Sequence, residues 1–411
     1  MNKERSSRRI WTNLEDLKAF TSTPGNGCTR LPFTKETRGV AEYLKREMTL
    51  AGLLVHEDPA GNVIGVLPGC DRTRPAIVMG SHMDSVYNGG NYDGIAGVVM
   101  GIEMARILKD EGRILPVDFV VVGFMDEEGC RFGTGYFGSY SILGQMDVDQ
   151  CRRFTDRDGI SVYDAMKSYG LDPEKVTEAA WPKGRIGHYI EAHIEQGPVL
   201  ETEGIELGLV DCIVGIQRYM FTVHGRSDHA GTTPMHMRKD AVDVASKVIS
   251  HVADFARAEG EGTVATVGYV HAVPGGMNVV AESMEFSVDI RSTDNNTIDR
   301  IADEIRALLA EETSKWSMTY SEDRKLTITP CNMSASMLDL MEASCREHGM
   351  SCIRMPSGAG HDALAIGQSC DTVMLFVPSK GGRSHCPEES TDAVSFGKAA
   401  CVLFELITQL E

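Results

Sequence analysis

Gly80-Ser81-His82-Met83-Asp84-Ser85-Val86, followed shortly by Gly89-Gly90-Asn91-Tyr92-Asp93-Gly94-Ile95-Ala96-Gly97, is the stretch around which this chain is organised. The apolar run Ala76-Ile77-Val78-Met79 precedes it and predicts a buried strand. Ile95, Val98, Val99, Ile102 and Ala105 follow at helical spacing. A histidine and two aspartates therefore fall where a strand ends and a helix begins, the usual place for a site in an open α/β sheet. Asp93, just before the helix, reads equally as an N-cap.

The same punctuation recurs along the chain. Val117 to Met125, apolar but for Asp118, enters Asp126-Glu127-Glu128-Gly129. Tyr189-Ile190-Glu191-Ala192-His193-Ile194-Glu195-Gln196-Gly197 alternates like a strand and ends in polar groups. Thr372 to Val377 predicts another buried strand, and the loop after it, Ser379 to Ser390, holds His385. Near the N-terminus, helices are expected from about Asn13 to Leu53, broken by the turn-rich loop Thr23 to Arg30.

Between Arg218 and Ser317 the order changes to strand, helix, strand, strand, helix. Strands are expected at Thr263 to His271, Met284 to Arg291 and Leu326 to Thr329, with helices starting near Ala241 and at Thr297 to Glu312. This block predicts a small α+β unit at about 212–328, inserted into a larger α/β domain made of about 1–211 and 329–411.

Bulk properties narrow the function. The 411 residues carry 40 Lys plus Arg against 59 Asp plus Glu, a net charge of -19. That balance speaks against a nucleic-acid or anionic-membrane surface, since both require clustered positive charge. It leaves room for a small anionic substrate held by one or two arginines. Eleven scattered cysteines with no CxxC pair predict reduced thiols rather than a disulfide framework. With no secretory signal and no membrane-length apolar run, the expected location is cytoplasmic. There is no Gly-x-Ser-x-Gly elbow and no dinucleotide fingerprint.

His82, Asp93, Glu128, His193 and His385 thus come from five separate segments, each at a strand end or in a Gly/Pro-rich loop. Imidazole and carboxylate together suit zinc, manganese or cobalt. Any one of them alone reads as a surface or capping group, and Glu127 with Glu128 reads as a solvated pair. Their co-occurrence favours a two-metal site open to water.

These segments resemble the five metal-site segments of the M20-type metallohydrolases, and within them the hydantoinase/carbamoylase branch. Ser384-His385-Cys386-Pro387-Glu388-Glu389, His229-Ala230-Gly231-Thr232-Thr233-Pro234-Met235 and Ser357 to Asp362 complete the pattern over nearly the whole chain. The resemblance implies a mixed-sheet, metallopeptidase-like α/β catalytic domain with an inserted α+β lid and dimerisation domain, hence a homodimer. It implies two divalent ions, Zn or Mn, Co or Ni. His82 and His193 would hold one, Glu128 and His385 the other, and Asp93 would bridge them. Glu127 would be the general base, Asp84 the group that orients His82, and His229 the donor to the developing oxyanion. Arg291 and Asn278 would anchor a substrate carboxylate, Gln196 would meet the ureido end, and Gly360 and His361 would line the pocket. Val214-Gly215-Ile216-Gln217-Arg218-Tyr219 departs from the Gly-Gln-Arg arrangement common in relatives, and Cys386 stands where Asn or Ser is frequent.

The expected activity is hydrolysis of the ureido C–N bond of an N-carbamoyl-L-amino acid, a small ureido carboxylate, with release of ammonia and CO2. Allantoate is the close alternative. An M20 aminopeptidase or dipeptidase is a second, and a metal-stabilised binding protein without activity a third.

Overall fold

The computed structural model describes residues 2–260 and 262–410. The chain divides into two units, Met1–Asp211 with Asn332–Glu411, and Cys212–Cys331.

In the large unit, four strands form the parallel centre of a nine-stranded sheet: Phe119–Phe124, Ala76–His82, Ile186–Ile194 and Asp371–Val377, in that order. Antiparallel strands Val63–Leu67 and Leu54–Glu57 extend one side, and Leu207–Ile213 extends the other. The sheet is therefore mixed, as expected. Every residue of Ala76–His82 and Phe119–Phe124 is buried, which is why both runs are continuously apolar rather than alternating until Ser81-His82 closes the first.

Register decides where the site forms. His82 lies opposite Phe124, and His193 lies opposite Phe376. The residues that follow each parallel strand therefore emerge along one edge of the sheet. Helix Ile95–Asp110 starts at this edge and is almost wholly buried. Its N-cap is Gly94, which has φ 66° and makes no side-chain cap, so Asp93 is not spent as a capping group. A Cβ on Gly94 would lie 2.3 Å from Cε1 of His82, so only glycine lets the imidazole lie against the helix entry.

The first helix runs Lys3–Leu17 rather than starting near Asn13. Its opening turns are charged and bury mainly Ser6 and Ile10, too narrow a stripe to read as helical periodicity.

The small unit is a five-stranded antiparallel sheet. Val270–Val273, Ser283–Ser292, Gly215–His224 and Thr319–Ile328 lie in that order, and Val264–Thr266 also pairs with Ser283–Ser292. Helices Ala241–Glu259 and Asn295–Lys315 pack against it, and its core contains Phe221, Phe286, Val288, Val248 and Ile301. Each such side chain contributes about 1.5–3 kcal/mol on burial. Along Ser283–Ser292 burial alternates strictly, so Asp289 and Arg291 share the face away from that core. A separate ladder pairs Asp228–His229 with Val279–Val280.

Two elements of the small unit also differ from expectation. The run from Thr263 to His271 is two short strands interrupted around Gly268. The strand expected at Leu326 to Thr329 is Thr319–Ile328, an edge strand whose charged residues face solvent and so carry no apolar signal. Among the described residues no helix is long and apolar enough to cross a membrane, and none of the eleven cysteines forms a disulfide.

Candidate metal centre

The carboxylate of Asp93 lies at the middle of the sheet edge. Its Oδ1 is 3.0 Å from His193 Nε2 and 3.4 Å from His82 Nε2. Its Oδ2 is 3.1 Å from His385 Nε2, which is in turn 3.3 Å from Glu128 Oε1. Three overlapping sets of potential ligand atoms result: His82 with Asp93 and His193, Asp93 with Glu128 and His385, and His82 with Glu127 and Glu128. Asp93 belongs to the first two.

The imidazoles are held for ligation. His82 Nδ1 donates to the main-chain carbonyl of Asp84 at 3.1 Å, and His193 Nδ1 donates to that of Ile194 at 2.9 Å. In both neutral rings this leaves Nε2 as the acceptor nitrogen beside Asp93; that of His193 accepts from the Gly94 N–H at 3.1 Å. Burial would lower His82, yet Asp93, Glu127 and Asp84 hold it well above its ordinary value. Burial would raise Asp93, yet His193, His385 and His82 draw it well below the carboxylate range. Hydrogen bonds to Asp93 and Glu128 lift His385 to about 10. Buried carboxylates of this density need a positive partner, and protons shared with the histidines are one way to supply it. A divalent ion is another, and it takes the place of those protons. The donor set of imidazole and carboxylate fits Zn, Mn or Co.

Glu127 is adjacent to this cluster, 8% exposed, with Oε2 3.9 Å from His82 Nε2. Burial lifts it well above its ordinary value, His82 opposing and Glu128 adding to the rise. A carboxylate tuned upward beside a prospective water site is suited to accept and return a proton.

Asp84 faces His82 and also holds a backbone turn. Its carboxylate stands 3.6 Å from His82 Nδ1, and the main-chain carbonyl takes that bond instead. The carboxylate accepts from the main-chain N–H of Glu127 at 3.1 Å and of Glu128 at 3.3 Å. Asp84 therefore ties the Glu127–Glu128 turn to the strand that carries His82.

His361 lies behind His193. Its ring is 1% exposed, bonds Ser357 Oγ through Nε2 at 2.8 Å and packs edge-on against His193 at 4.5 Å. Burial, with His193 nearby, keeps it well below its ordinary value and therefore neutral. It supports His193 from behind rather than lining an open pocket. Gly360 lies so close to the Tyr136 hydroxyl that a Cβ would fall 1.8 Å from it. Gln196 Nε2 donates to Asp93 Oδ2 at 2.9 Å, and its Oε1 is buried with no hydrogen-bond partner among the described residues.

Two contributors were not legible beforehand. Glu389 accepts from the N–H groups of Tyr92 and Asp93 and from Ser384 Oγ, so it links the Asp93 turn to the His385 loop. Gly90 was the available signal, since a Cβ there would lie 1.9 Å from the Glu389 carboxyl carbon. Tyr136 is the other: its N–H donates to the Glu127 carbonyl at 2.9 Å. Asp126, Tyr136, Gln196 and His385 all have positive φ, between 54° and 59°. Such backbone costs about 1–3 kcal/mol per residue and gathers at functional sites. Burial, then the Glu128 and Asp84 carboxylates, push the Cys130 thiol up to about 12, which keeps it neutral.

The small unit holds the other three expected residues. His229 is exposed, and its Nδ1 accepts from the N–H groups of Gly231 and Thr232 at 3.0 and 3.2 Å. A neutral ring so bonded carries its proton on Nε2, as a donor. Asn278 is beside it, its main-chain carbonyl accepting from Ala230 N–H at 3.0 Å. Arg291 Nε donates to Asp289 Oδ1 at 2.8 Å, on the sheet face.

A further grouping, His348 with Cys401 and Glu405, lies apart from the Asp93 cluster. There Ser344 and His348 already engage both Glu405 oxygens.

An α/β fold that gathers histidines and carboxylates at the ends of parallel strands defines a metallohydrolase-type architecture. Residues 78–409 match the model of peptidase family M20/M25/M40, and the chain belongs to that family. It is 38% identical over 405 residues to the N-carbamoyl-L-amino-acid amidohydrolase of Paenarthrobacter aurescens, covering 98% of each chain. It is 34% identical over 397 residues to the allantoate amidohydrolase of Bacillus subtilis, covering 97% of this chain and 96% of that one. Among solved structures it resembles an amidase of the hydantoinase/carbamoylase family from Burkholderia multivorans, with TM-score 0.89, 28% identity and coverage of 98% and 97%. The resemblance drawn from the motifs is borne out.

Proposed function

We propose that the protein is a binuclear metal-dependent amidohydrolase that cleaves the ureido C–N bond of an N-carbamoyl-L-amino acid. The observation that carries this is the Asp93 carboxylate, one oxygen facing His82 and His193 and the other facing His385 beside Glu128. Two ions, zinc or manganese, cobalt or nickel, would be held by these five residues. When bound, such ions supply Lewis-acid polarisation of a carbonyl and a lowered pKa for water.

The chain's own residues do the rest. Glu127 accepts the proton of the attacking water and returns it to the departing nitrogen. Water adds once across the C–N bond, and the carbamic acid released breaks down to ammonia and CO2. His229, with its proton on Nε2, donates to the oxygen on which charge develops. The unpartnered Oε1 of Gln196 offers an acceptor to a ureido N–H. Arg291 and Asn278 bind the substrate carboxylate, the former through a planar fork. The small unit acts as lid and dimerisation domain, and the protein works in the cytoplasm as a homodimer.

The Bacillus subtilis relative favours a second reading, allantoate hydrolysis. An ammonia-release screen of metal-reconstituted protein decides. N-carbamoyl-L-amino acids are expected to give the highest kcat/KM, ahead of allantoate and ureidoglycolate, with dipeptides inert. Turnover of dipeptides alone overturns the amidohydrolase reading.

A further inference from the structure

Arg218 belongs to the segment that departs from its relatives, and the assignments above give it no task. The alternation of the Gly215–His224 strand separates it from its neighbour. Gln217 turns inward, where its Nε2 donates to Asp299 Oδ1 at 2.8 Å and its Oε1 accepts from the Tyr219 hydroxyl. It is a core residue. Arg218 turns to the opposite face, in register with Asp289 on the adjacent strand.

There the three charged side chains form one assembly. Arg218 donates from Nε and from a terminal nitrogen to Asp289 Oδ2, at 2.9 and 2.6 Å. Arg291 donates from Nε to Asp289 Oδ1 at 2.8 Å. Each carboxylate oxygen thus serves a different guanidinium. Desolvation would raise Asp289, but Arg291 and Arg218 hold it below the ordinary carboxylate range. The trio therefore carries one net positive charge at neutral pH.

Two physical consequences follow. A guanidinium bonded through Nε has its plane set by that carboxylate, which matters for a fork that must meet an anion in one orientation. A single arginine–aspartate pair is neutral and a weak attractor of anions; the second arginine restores the positive field.

We infer that Asp289 and Arg218 are positioning residues for Arg291, Asp289 fixing its guanidinium and Arg218 cancelling the charge of Asp289, so that together they set the affinity for a substrate carboxylate. The inference rests on the proposed role of Arg291 as carboxylate anchor.

The test is steady-state ammonia release from an N-carbamoyl-L-amino acid and from the same compound with its carboxylate converted to a carboxamide. Losing a charge-assisted hydrogen bond predicts that Asp289→Asn raises KM for the acid about tenfold, with kcat changed less than about threefold. Arg218→Met should raise KM for the acid about three- to tenfold, and Arg218→Lys should recover most of the loss. KM for the carboxamide should stay within about twofold in every variant, because it presents no charge. KM does not depend on how much enzyme is folded, so partial misfolding leaves the readout intact, and Arg218→Met carries the test if Asp289→Asn is inactive.

Arg291→Ala is run in parallel to separate two failures. If it raises KM for the acid while Asp289→Asn and Arg218→Met leave it unchanged, the positioning inference falls and the anchor stands. Should Arg291→Ala itself leave KM unchanged, both fall together. Equal KM changes for acid and carboxamide also overturn the inference, since they mark a structural effect.

Discussion

In the large unit, His82, Asp84 and Asp93 are almost wholly removed from water, and each sits against the charge of the next. In the small unit, His229 and Asn278 are exposed, and Arg291 lies on an open sheet face. The first arrangement is costly without a compensating charge, because buried ions must be paired. Main-chain carbonyls hold the His82 and His193 rings, Asp84 the Glu127–Glu128 turn, and Glu389 the Asp93 turn. The second costs little, and local bonds hold it, among them two N–H groups on the His229 ring and the Asp289 carboxylate on Arg291. Of the five residues proposed as ligands, His82, Asp93 and His193 are buried, Glu128 is half-buried and His385 is exposed, so the contrast is sharpest for the first three.

Metal removal tests this contrast most severely. Chelation should abolish turnover, and Mn or Zn should restore it. At about one hundred times the dissociation constant an ion contributes about 2.7 kcal/mol to the unit that binds it. Hydrogen exchange should therefore quicken in Ile95–Asp110 of the large unit and stay unchanged in Ala241–Glu259 of the small one. Equal quickening in both would break the comparison. The pH dependence has a definite sign. The ion-free histidines hold protons above their ordinary value, His385 up to about 10. Loading releases these protons, so affinity must fall as pH falls, and calorimetry in buffers of different ionisation enthalpy should register net proton release.

Next in size are paired changes, one from each unit. Glu127→Gln should lower kcat by about 10²–10⁴ while the ions remain bound by elemental analysis. His229→Ala should lower kcat by about 10²–10³, also with ions retained. Loss of metal from the His229 variant would contradict its independence from the buried cluster.

A smaller effect sharpens the role of Asp84. Asp84→Asn removes one of the two acceptors that hold the Glu127 and Glu128 N–H groups, a loss of about 1–3 kcal/mol. Measured kcat should fall about tenfold or more with metal content unchanged. If instead the ions are lost and kcat per loaded enzyme is preserved, the carboxylate orients His82 after all.

Much of this was legible in one dimension. Parallel strands buried on both faces must be continuously apolar, so the polar groups that interrupt them at Ser81-His82, Asp126-Glu127-Glu128 and His193 stand out against that background. The edge strand Thr319–Ile328 is the opposite case: its charged residues face water, and nothing in its pattern separates it from a loop. Asp93 was ambiguous for another reason. An aspartate before a helix is a good cap by local chemistry alone, and only the left-handed Gly94 in the cap position frees its carboxylate.

Sequence by itself determined which residue types stand at which strand ends, because hydrophobic alternation and turn residues are local properties. Tertiary structure alone decided what those residues touch. Register brought His82 beside the Glu127 turn, gave Asp84 two backbone N–H groups besides the imidazole it faces, and enclosed His361 behind His193. On the small unit it paired Arg218 with Asp289 across two strands. Such contacts join residues tens to hundreds of positions apart, and hydrogen bonding at that range is set by packing, to which local pattern is blind.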